Sequence, residues 1–259
     1  RGVIAVLDVG TSKIGCLILK FDGTDEKIDG DGVGSLAGQS GFQVIGSALT
    51  KSRGIEYGEI VSMPETERAI RTALQSAQKL ANSRVDHVIA CVSGGSPRSY
   101  GLEGGIDIKS EIVDHKDIAD VLGSCGVPAL EPDREILHAQ PVNFSLDHRT
   151  GLSDPRGQIG KYLSVDMHML TIKEKTIQDL AYCVKRCDLE LAGIASSSYM
   201  AALSSLVEDE KELGAACIDL GGGSSNISIF WKKHMIFAET IKMGGELVTR
   251  DISMGLQVS

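Results

Sequence analysis

The amino-acid sequence predicts an α/β protein made of two similarly folded lobes, with an α+β segment inserted between the two copies. Two observations support this prediction. A pattern of strand, polar turn, strand, strand and helix occurs around Asp8 and again around Asp219. Between the two copies lies a stretch of strand-like runs around one short helix. Repetition on this scale is typical of a duplicated structural unit, and we expect the two lobes to face each other.

The first copy opens with two apolar runs, at 3–7 and 14–21, which are typical of buried strands. A polar turn at 8–13 joins them. Glycine and acidic residues dominate 22–40, and this composition predicts a flexible loop. A third strand is expected at 42–49.

The clearest helix of the sequence lies at 69–81, where apolar residues recur at i, i+3, i+4 and i+7. The run Ser62-Met63-Pro64-Glu65 before it has the form of a capping box, in which serine and glutamate side chains satisfy backbone N–H groups. The remaining elements predicted before the second copy are strands at 88–92, 105–108, 163–170 and 189–194 and helices at 116–124, 176–186 and 198–207.

The second copy repeats the order of the first. Strands are expected at 215–219, 227–231 and 235–242, with a hairpin turn at Lys232-Lys233-His234. Gly244-Gly245-Glu246 then precedes a helix that is expected to start at Thr249.

The composition excludes several classes of protein. The chain has 259 residues, a net charge of −9 and a pI near 5.2, which argues against nucleic acid as the main partner because phosphate binding needs a basic surface. No apolar run approaches the length of a membrane span, and the start lacks a signal-peptide cleavage site. We therefore expect a cytosolic chain.

Cysteine and histidine side chains do not have the spacing of a metal site. The six cysteines lie mostly in apolar runs, which favours reduced, structural thiols. His138 and His168 lie in strand-like runs and are expected to serve packing or the surface rather than to bind a metal.

The chemistry is expected at the two repeated turns. In each copy a buried strand ends in aspartate, and glycines and hydroxyl-bearing residues follow. Glycine permits close backbone approach, so successive N–H groups of such a turn can converge on an anion. Asp8 and Asp219 can hold a hydrated Mg²⁺, and the inferred ligand is a nucleoside triphosphate. Asp-x-Gly turns also occur as plain hairpin connections, but two of them in matching contexts favour a phosphate site.

At these residues the sequence resembles the actin/Hsp70/sugar-kinase superfamily and, within it, the FtsA family of bacterial cell-division proteins. The resemblance covers nearly the whole chain. Beyond the turns, its motifs are Val92-Ser93-Gly94-Gly95, Ile136-Leu137-His138-Ala139-Gln140-Pro141, Gly151-Leu152-Ser153-Asp154-Pro155-Arg156-Gly157, Val165-Asp166-Met167-His168 and Gly244-Gly245-Glu246-Leu247-Val248-Thr249-Arg250-Asp251-Ile252.

The resemblance implies an actin-like, ribonuclease H-like fold with ATP and Mg²⁺ as cofactors. The residues that it implies for the first phosphate loop are Asp8, Gly10, Thr11, Ser12 and Lys13. Those for the second loop are Asp219, Gly221, Gly222, Gly223, Ser224 and Ser225. Gly244, Gly245 and Glu246 are implied beside the ribose or phosphates. Asp219 is also the candidate to activate a water molecule if the chain is a slow ATPase.

The resemblance also implies a domain organisation. The first lobe (1A) is expected at 1–84 and 166–197, the inserted subdomain (1C) at 85–165 and a partial second lobe (2A) at 198–259. Since the chain stops at Ser259, we expect the rest of the second lobe, the adenosine loop and a terminal amphipathic membrane helix to be missing. Nucleotide binding by this chain is accordingly expected to be weak.

The implied function is that of a nucleotide-binding scaffold. Members of the family self-assemble with ATP at the inner face of the cell membrane, tether the tubulin-like division protein FtsZ there, and recruit later division proteins through the insert. Two alternatives stay open: a phosphotransfer enzyme, such as an exopolyphosphatase or sugar kinase, and an adaptor that does not depend on nucleotide. The phosphatases commonly have a glutamate after the second turn, where this sequence has Asn226.

Overall fold

A computed structural model describes residues 2–21 and 41–257. The loop predicted at 22–40 lies outside the described residues. The chain divides into two compact units, Arg1–Val92 with Gln178–Ala195 and Ser93–Ile177 with Ser196–Ser259, which are called unit 1 and unit 2 and described separately.

The elements are, in chain order, β1 (Gly2–Val9), β2 (Lys13–Phe21), β3 (Phe42–Lys51), β4 (Ile55–Glu56), β5 (Glu59–Ile60), α1 (Met63–Ala81), β6 (His87–Val92), β7 (Arg98–Asp107), α2 (His115–Ser124), β8 (Arg134–Leu146), β9 (Arg149–Leu152), β10 (Tyr162–Lys173), α3 (Glu174–Arg186), β11 (Glu190–Ser196), α4 (Ser197–Ser205), α5 (Glu208–Leu213), β12 (Ala215–Leu220), β13 (Ser225–Trp231), β14 (His234–Ile241) and α6 (Gly245–Leu256).

Unit 1 is built on a five-stranded sheet in the order β11-β6-β1-β2-β3. The three strands predicted for the first copy are confirmed as β1, β2 and β3, which pair antiparallel. On its other side β1 pairs in parallel with β6, so the run at 88–92, which the sequence analysis placed in the inserted segment, belongs to this sheet. β1 is therefore a central strand, and Leu7 on it is fully buried.

Helix α1 packs on this sheet through Ile70, Ala73 and Ala77, which confirms the predicted helix. It approaches β3 closely at Gly46, where a Cβ atom would lie 2.4 Å from the Ala77 carbonyl oxygen. The predicted capping box is wrong. Ser62 is the N-cap, but its side chain makes no capping hydrogen bond.

Unit 2 contains a four-stranded sheet in the order β7-β10-β8-β9. Helix α2 packs against it through the buried Val121, and its N-terminus is closed by a capping box between Asp114 and Asp117. The core beneath α2 consists of Val113, Val121, Cys125, Phe144, Leu146, Leu163 and Val165.

The second sheet of unit 2 contains the second copy, with strand order β12-β13-β14. Phe230, Met235 and Ala202 lie in its core. The predicted hairpin turn is confirmed, with positive φ at both Lys232 and Lys233. Helix α6 starts at Gly245, four residues before the predicted start at Thr249. In the described part of the chain, β12 pairs on one side only and is an edge strand.

None of the helices within residues 2–21 and 41–257 combines the length and hydropathy that crossing a membrane requires.

Candidate phosphate-binding turns

The first turn joins β1 to β2 and is closed by a single backbone hydrogen bond. The Gly10 N–H donates to the Lys13 carbonyl oxygen at 3.2 Å. Asp8 lies opposite Gly15 in the strand pair and is exposed to solvent. The side chains of Ser12 and Lys13 are exposed as well. The turn thus presents a carboxylate, a hydroxyl and an ammonium group to solvent.

The short hairpin formed by β4 and β5 contacts this turn. Its Gly58 N–H donates to the Thr11 hydroxyl oxygen at 2.9 Å. The carbonyl oxygen of Ser12 accepts from the Ser52 N–H at 3.1 Å. Since the Thr11 oxygen acts here as acceptor, its own proton can be donated to an anion. Sequence reasoning missed Gly58, because nothing in the spacing links it to the turn.

The second turn, between β12 and β13, has the same construction. The Gly221 N–H donates to the Ser224 carbonyl oxygen at 2.9 Å, and Asp219 lies opposite Asn226 as Asp8 lies opposite Gly15. Both the turn and its strand register therefore repeat between the two copies.

Two of the predicted residues of the second turn have buried surroundings. Gly223 and Ser224 are both buried. The Ser225 hydroxyl donates to the Met243 carbonyl oxygen at 2.6 Å and thereby ties the turn to the segment before α6. Backbone groups and Asp219 are consequently the more accessible part of this turn.

Gly244, Gly245 and Glu246, which the resemblance implied beside the ribose or phosphates, lie against the second turn. The Gly245 N–H donates to the Gly221 carbonyl oxygen at 2.9 Å and the Glu246 N–H to that of Gly222 at 2.8 Å. These hydrogen bonds occupy two of the N–H groups at the start of α6. The N-terminus of α6 therefore holds the second turn through backbone hydrogen bonds.

The carboxylate of Asp219 is held by its cross-strand neighbours. The Asn226 side-chain amide donates to it at 3.3 Å, and the Thr240 hydroxyl donates to the Asn226 carbonyl oxygen at 2.7 Å. In the sequence, Asn226 stands out only as a difference from phosphatases, and no pattern points to Thr240. The cross-strand register, which sequence spacing does not give, is what brings them together.

The turns suit a hydrated Mg²⁺ ion with few protein ligands better than a metal ion that is held entirely by protein side chains. Within residues 2–21 and 41–257, no three Asp, Glu, His or Cys side chains cluster as a metal site would require. Mg²⁺ commonly binds through one or two carboxylates and completes its shell with water and phosphate oxygens. Asp8 and Asp219, each beside a turn that can take phosphate, suit that mode.

Thiols next to the turns are poor nucleophiles. Burial, with a smaller effect of the Asp8 charge, raises the pKa of Cys91 to about 11. Burial and then Asp219 also raise the pKa of Cys217. Both groups therefore stay protonated at neutral pH, which agrees with the structural role expected of the cysteines.

Comparison with known proteins shows that part of the chain is similar to a described domain family. Residues 94–171 match the family described as the SHS2 domain inserted in FtsA. The range includes β7, α2, β8, β9 and most of β10.

Curated relatives match along almost the whole chain. Cell division protein FtsA of Rhizobium meliloti (strain 1021) is 36% identical over 255 residues, covering 98% of this chain and 56% of that protein. FtsA of Pseudomonas aeruginosa (strain PAO1) is 31% identical, covering 98% and 58%. The chain thus spans a little over half the length of these relatives.

Solved structures agree on the fold. The PilM-PilN type IV pilus biogenesis complex aligns with a TM-score of 0.65 at 10% identity, covering 99% of this chain and 66% of that one. The ethanolamine utilization protein EutJ of Carboxydothermus hydrogenoformans aligns with a TM-score of 0.53 at 12% identity, covering 100% and 58%. The predicted actin-like fold is confirmed. Together with the matched SHS2 domain, the similarity to FtsA proteins over 98% of this chain confirms the predicted resemblance to the FtsA family.

Proposed function

We propose that the two turns bind the phosphate groups of ATP and that this chain is part of an ATP-dependent, actin-like division scaffold. The observation that carries the proposal is the repeated turn. Gly10 to Lys13 and Gly221 to Ser224 close with the same backbone hydrogen bond, each directly after a strand that bears an aspartate. Such a repeat is hard to explain by two unrelated hairpin connections.

The chemistry assigned to the first turn is anion binding. Thr11, Ser12 and Lys13 supply hydroxyl and ammonium donors, and charge-assisted hydrogen bonds of this kind are stronger than neutral ones. In the second turn, Gly221 and Gly222 keep the backbone open to close approach.

Asp8 and Asp219 would hold Mg²⁺ through water, and a bound Mg²⁺ would neutralise phosphate charge. Any ATPase activity is expected to be slow, with Asp219 as the candidate to orient water.

The division role rests on the FtsA relatives and the SHS2 match. We propose a first lobe that includes β6, because β6 pairs with β1, an inserted subdomain that starts after β6 and ends at about residue 165, and a partial second lobe at 198–259. The proposed assembly is a filament at the inner face of the membrane, which tethers FtsZ. The insert would contact later division proteins, whereas contacts with FtsZ and with the membrane would come from parts of the family's fold other than the insert and the two turns.

A nuclear magnetic resonance titration tests the nucleotide site and suits weak binding. Adding Mg·ATP should shift amide signals of both 8–13 and 219–226. Lys13→Met should weaken binding about tenfold, because a charge-assisted hydrogen bond is lost. Lys20→Met, at the other end of β2, is the matched control and should bind as the wild type does. Absence of shifts at saturating Mg·ATP, or a sub-micromolar affinity, would contradict the proposal of a weak site.

Sedimentation with and without ATP tests the scaffold. ATP-dependent pelleting of the chain is expected for an assembling protein. Equal sedimentation in both conditions would instead support the nucleotide-independent adaptor. Release of phosphate from polyphosphate, or its transfer to a sugar, would establish the phosphotransfer enzyme.

A further inference from the structure

Three side chains form a row across the sheet of the second copy. Asp219 on β12 lies directly opposite Asn226 on β13, which in turn lies opposite Thr240 on β14. Hydrogen bonds link the row from Thr240 to Asn226 at 2.7 Å and from Asn226 to Asp219 at 3.3 Å. Only Asp219 of the three belongs to the turn to which phosphate binding is assigned.

The direction of the hydrogen bonds fixes the orientation of the amide. A threonine hydroxyl that donates to the Asn226 carbonyl oxygen leaves the NH₂ group of that amide facing Asp219. The Asp219 carboxylate can only accept hydrogen bonds. An Asn226 amide in the flipped orientation would therefore place its own oxygen against a carboxylate oxygen. Asn226 is 2% exposed, so burial prevents water from replacing either partner. Thr240 thus acts on Asp219 through Asn226.

In the described strands of the first copy, this row has no counterpart. The residue opposite Asp8 is Gly15, and the residue opposite Gly15 on β3 is Leu49. Neither side chain can donate a hydrogen bond. The arrangement is therefore a property of the second turn and not a requirement of the repeated strand pattern.

We propose that Asn226 and Thr240 are positioning residues, which hold the Asp219 carboxylate in one orientation toward the metal of Mg·ATP. The inference rests on the proposed nucleotide site and assigns it two further residues. An outer partner that orients a metal-binding carboxylate commonly changes metal affinity by about 10- to 100-fold when it is removed.

The test compares ATP affinity in the presence of Mg²⁺ with ATP affinity in EDTA, by calorimetry on the full chain. The ratio of the two affinities measures how much Mg²⁺ contributes to the binding of ATP. Thr240→Val, which keeps the shape and removes the hydroxyl, should lower this ratio about tenfold while metal-free affinity changes less than about twofold. Thr240→Ser should restore the ratio.

Ser228→Ala is the matched control for folding. It removes a buried hydroxyl of the neighbouring strand β13, one that donates to the Ser198 carbonyl oxygen at 3.2 Å. It should leave the Mg²⁺ ratio unchanged. In the Asp219→Asn background, Thr240→Val should have no further effect on the ratio, because the residue through which it acts is gone.

A second readout needs no nucleotide. The side-chain amide protons of Asn226 should exchange slowly with solvent in the wild type and faster in Thr240→Val. If wild-type chain does not bind ATP, the proposed function fails and this inference fails with it. Two results would overturn the positioning role alone. One is that wild type binds ATP more tightly with Mg²⁺ than in EDTA and Thr240→Val keeps the same ratio. The other is that the Asn226 side-chain amide protons exchange equally fast in wild type and in Thr240→Val.

Discussion

Gly244 is the residue whose lack of a side chain matters most to the second turn. A Cβ atom at this position would lie 2.3 Å from the Gly222 carbonyl oxygen and 2.7 Å from that of Gly221. Its φ of −145° is open to any residue, so the constraint comes from contact and not from backbone strain. The neighbouring Gly245 has no such restriction, since its nearest atom would be 3.9 Å away.

Gly244→Ala should lower the free energy of unfolding by about 1–3 kcal/mol, because the turn must move away from α6 to admit the methyl group. Gly245→Ala should be close to neutral. Urea denaturation of both variants measures the difference. Equal stability of the two variants would show that the turn and α6 do not pack as described.

His168 is a buried imidazole that responds to acid. It is 2% exposed, its Nε2 lies 2.9 Å from the Ser99 hydroxyl, and its Nδ1 has no hydrogen-bond partner among the described residues. Burial, with a smaller effect of the nearby His138, lowers the pKa of His168 to about 4. The folded protein therefore disfavours the charged form.

Since the pKa in the folded state lies below the ordinary value of 6.5, the unfolded chain takes up the proton first as pH falls. Stability from neutral His168 is complete above pH 6.5 and should decline between pH 6.5 and 4, by on the order of 3 kcal/mol. His168→Gln should reduce this decline in urea melts. His148→Gln, at an exposed position, should not change it. Parallel pH curves for wild type and His168→Gln would refute the assignment.

At the scale of elements, the hairpin of β4 and β5 links the first turn to α1. Gly58 binds the Thr11 hydroxyl at one end of the hairpin. At its base, the carbonyl oxygen of Gly54 accepts from the N–H groups of Val61 and Ser62, which lead into the helix. A change at Thr11 can therefore reach α1 through a short series of hydrogen bonds.

Thr11→Val should loosen the hairpin, because the Gly58 N–H loses its acceptor. Exchange of the Gly58 amide proton is expected to become about tenfold faster, corresponding to a local loss of about 1.4 kcal/mol. Thr11→Ser keeps the oxygen and should preserve the protection of the wild type. Unchanged exchange in Thr11→Val would mean that the hydrogen bond does not hold the hairpin.

Elements with a strong repeat of apolar residues could be predicted, and those made by tertiary contacts could not. The strands beside the two turns and α1 follow directly from periodicity. β8 is not among the predicted strands, although His138 lies in a strand-like run; Pro141 within β8 lies at a register shift against β10 that tolerates it. The early start of α6 was missed because carbonyl oxygens of the second turn, not local residues, bind its first N–H groups.

The residues of the candidate site divide in the same way, into those that a local sequence pattern indicates and those that only tertiary contacts bring to the turns. Asp8, Asp219 and the glycines could be named from spacing, because each copy repeats a local pattern. Gly58 and Thr240 could not, since they reach the turns through strand pairing and chain reversal that no short motif encodes. Residues that support a site are set by the fold more than by the motif.

At the scale of the whole molecule, the two copies differ in how their first strands are covered. Leu7 on β1 and Ile218 on β12 hold the same place in the repeat. Leu7 is fully buried, whereas Ile218 is 61% exposed. The sheets differ as well: β1 has a neighbour on both sides, and β12, within the described residues, has a neighbour on one side only.

Matched substitutions test this contrast. Leu7→Ala should lower the free energy of unfolding by about 2–5 kcal/mol, as is usual for a buried leucine. Ile218→Ala should change it by about 0.5 kcal/mol or less, since its side chain is largely in water. Chemical denaturation of both variants gives the comparison. A large loss from Ile218→Ala would show that β12 is covered in solution.

The unpaired side of β12 affects how this chain behaves at high concentration. A row of backbone amide and carbonyl groups flanked by apolar side chains is a template onto which a strand from a second molecule can add, and edge strands of this kind favour aggregation. Leu220, at the end of the strand, is 77% exposed. A lysine there would place a charge in the path of an incoming strand, and samples of Leu220→Lys should scatter less light than the wild type at equal concentration.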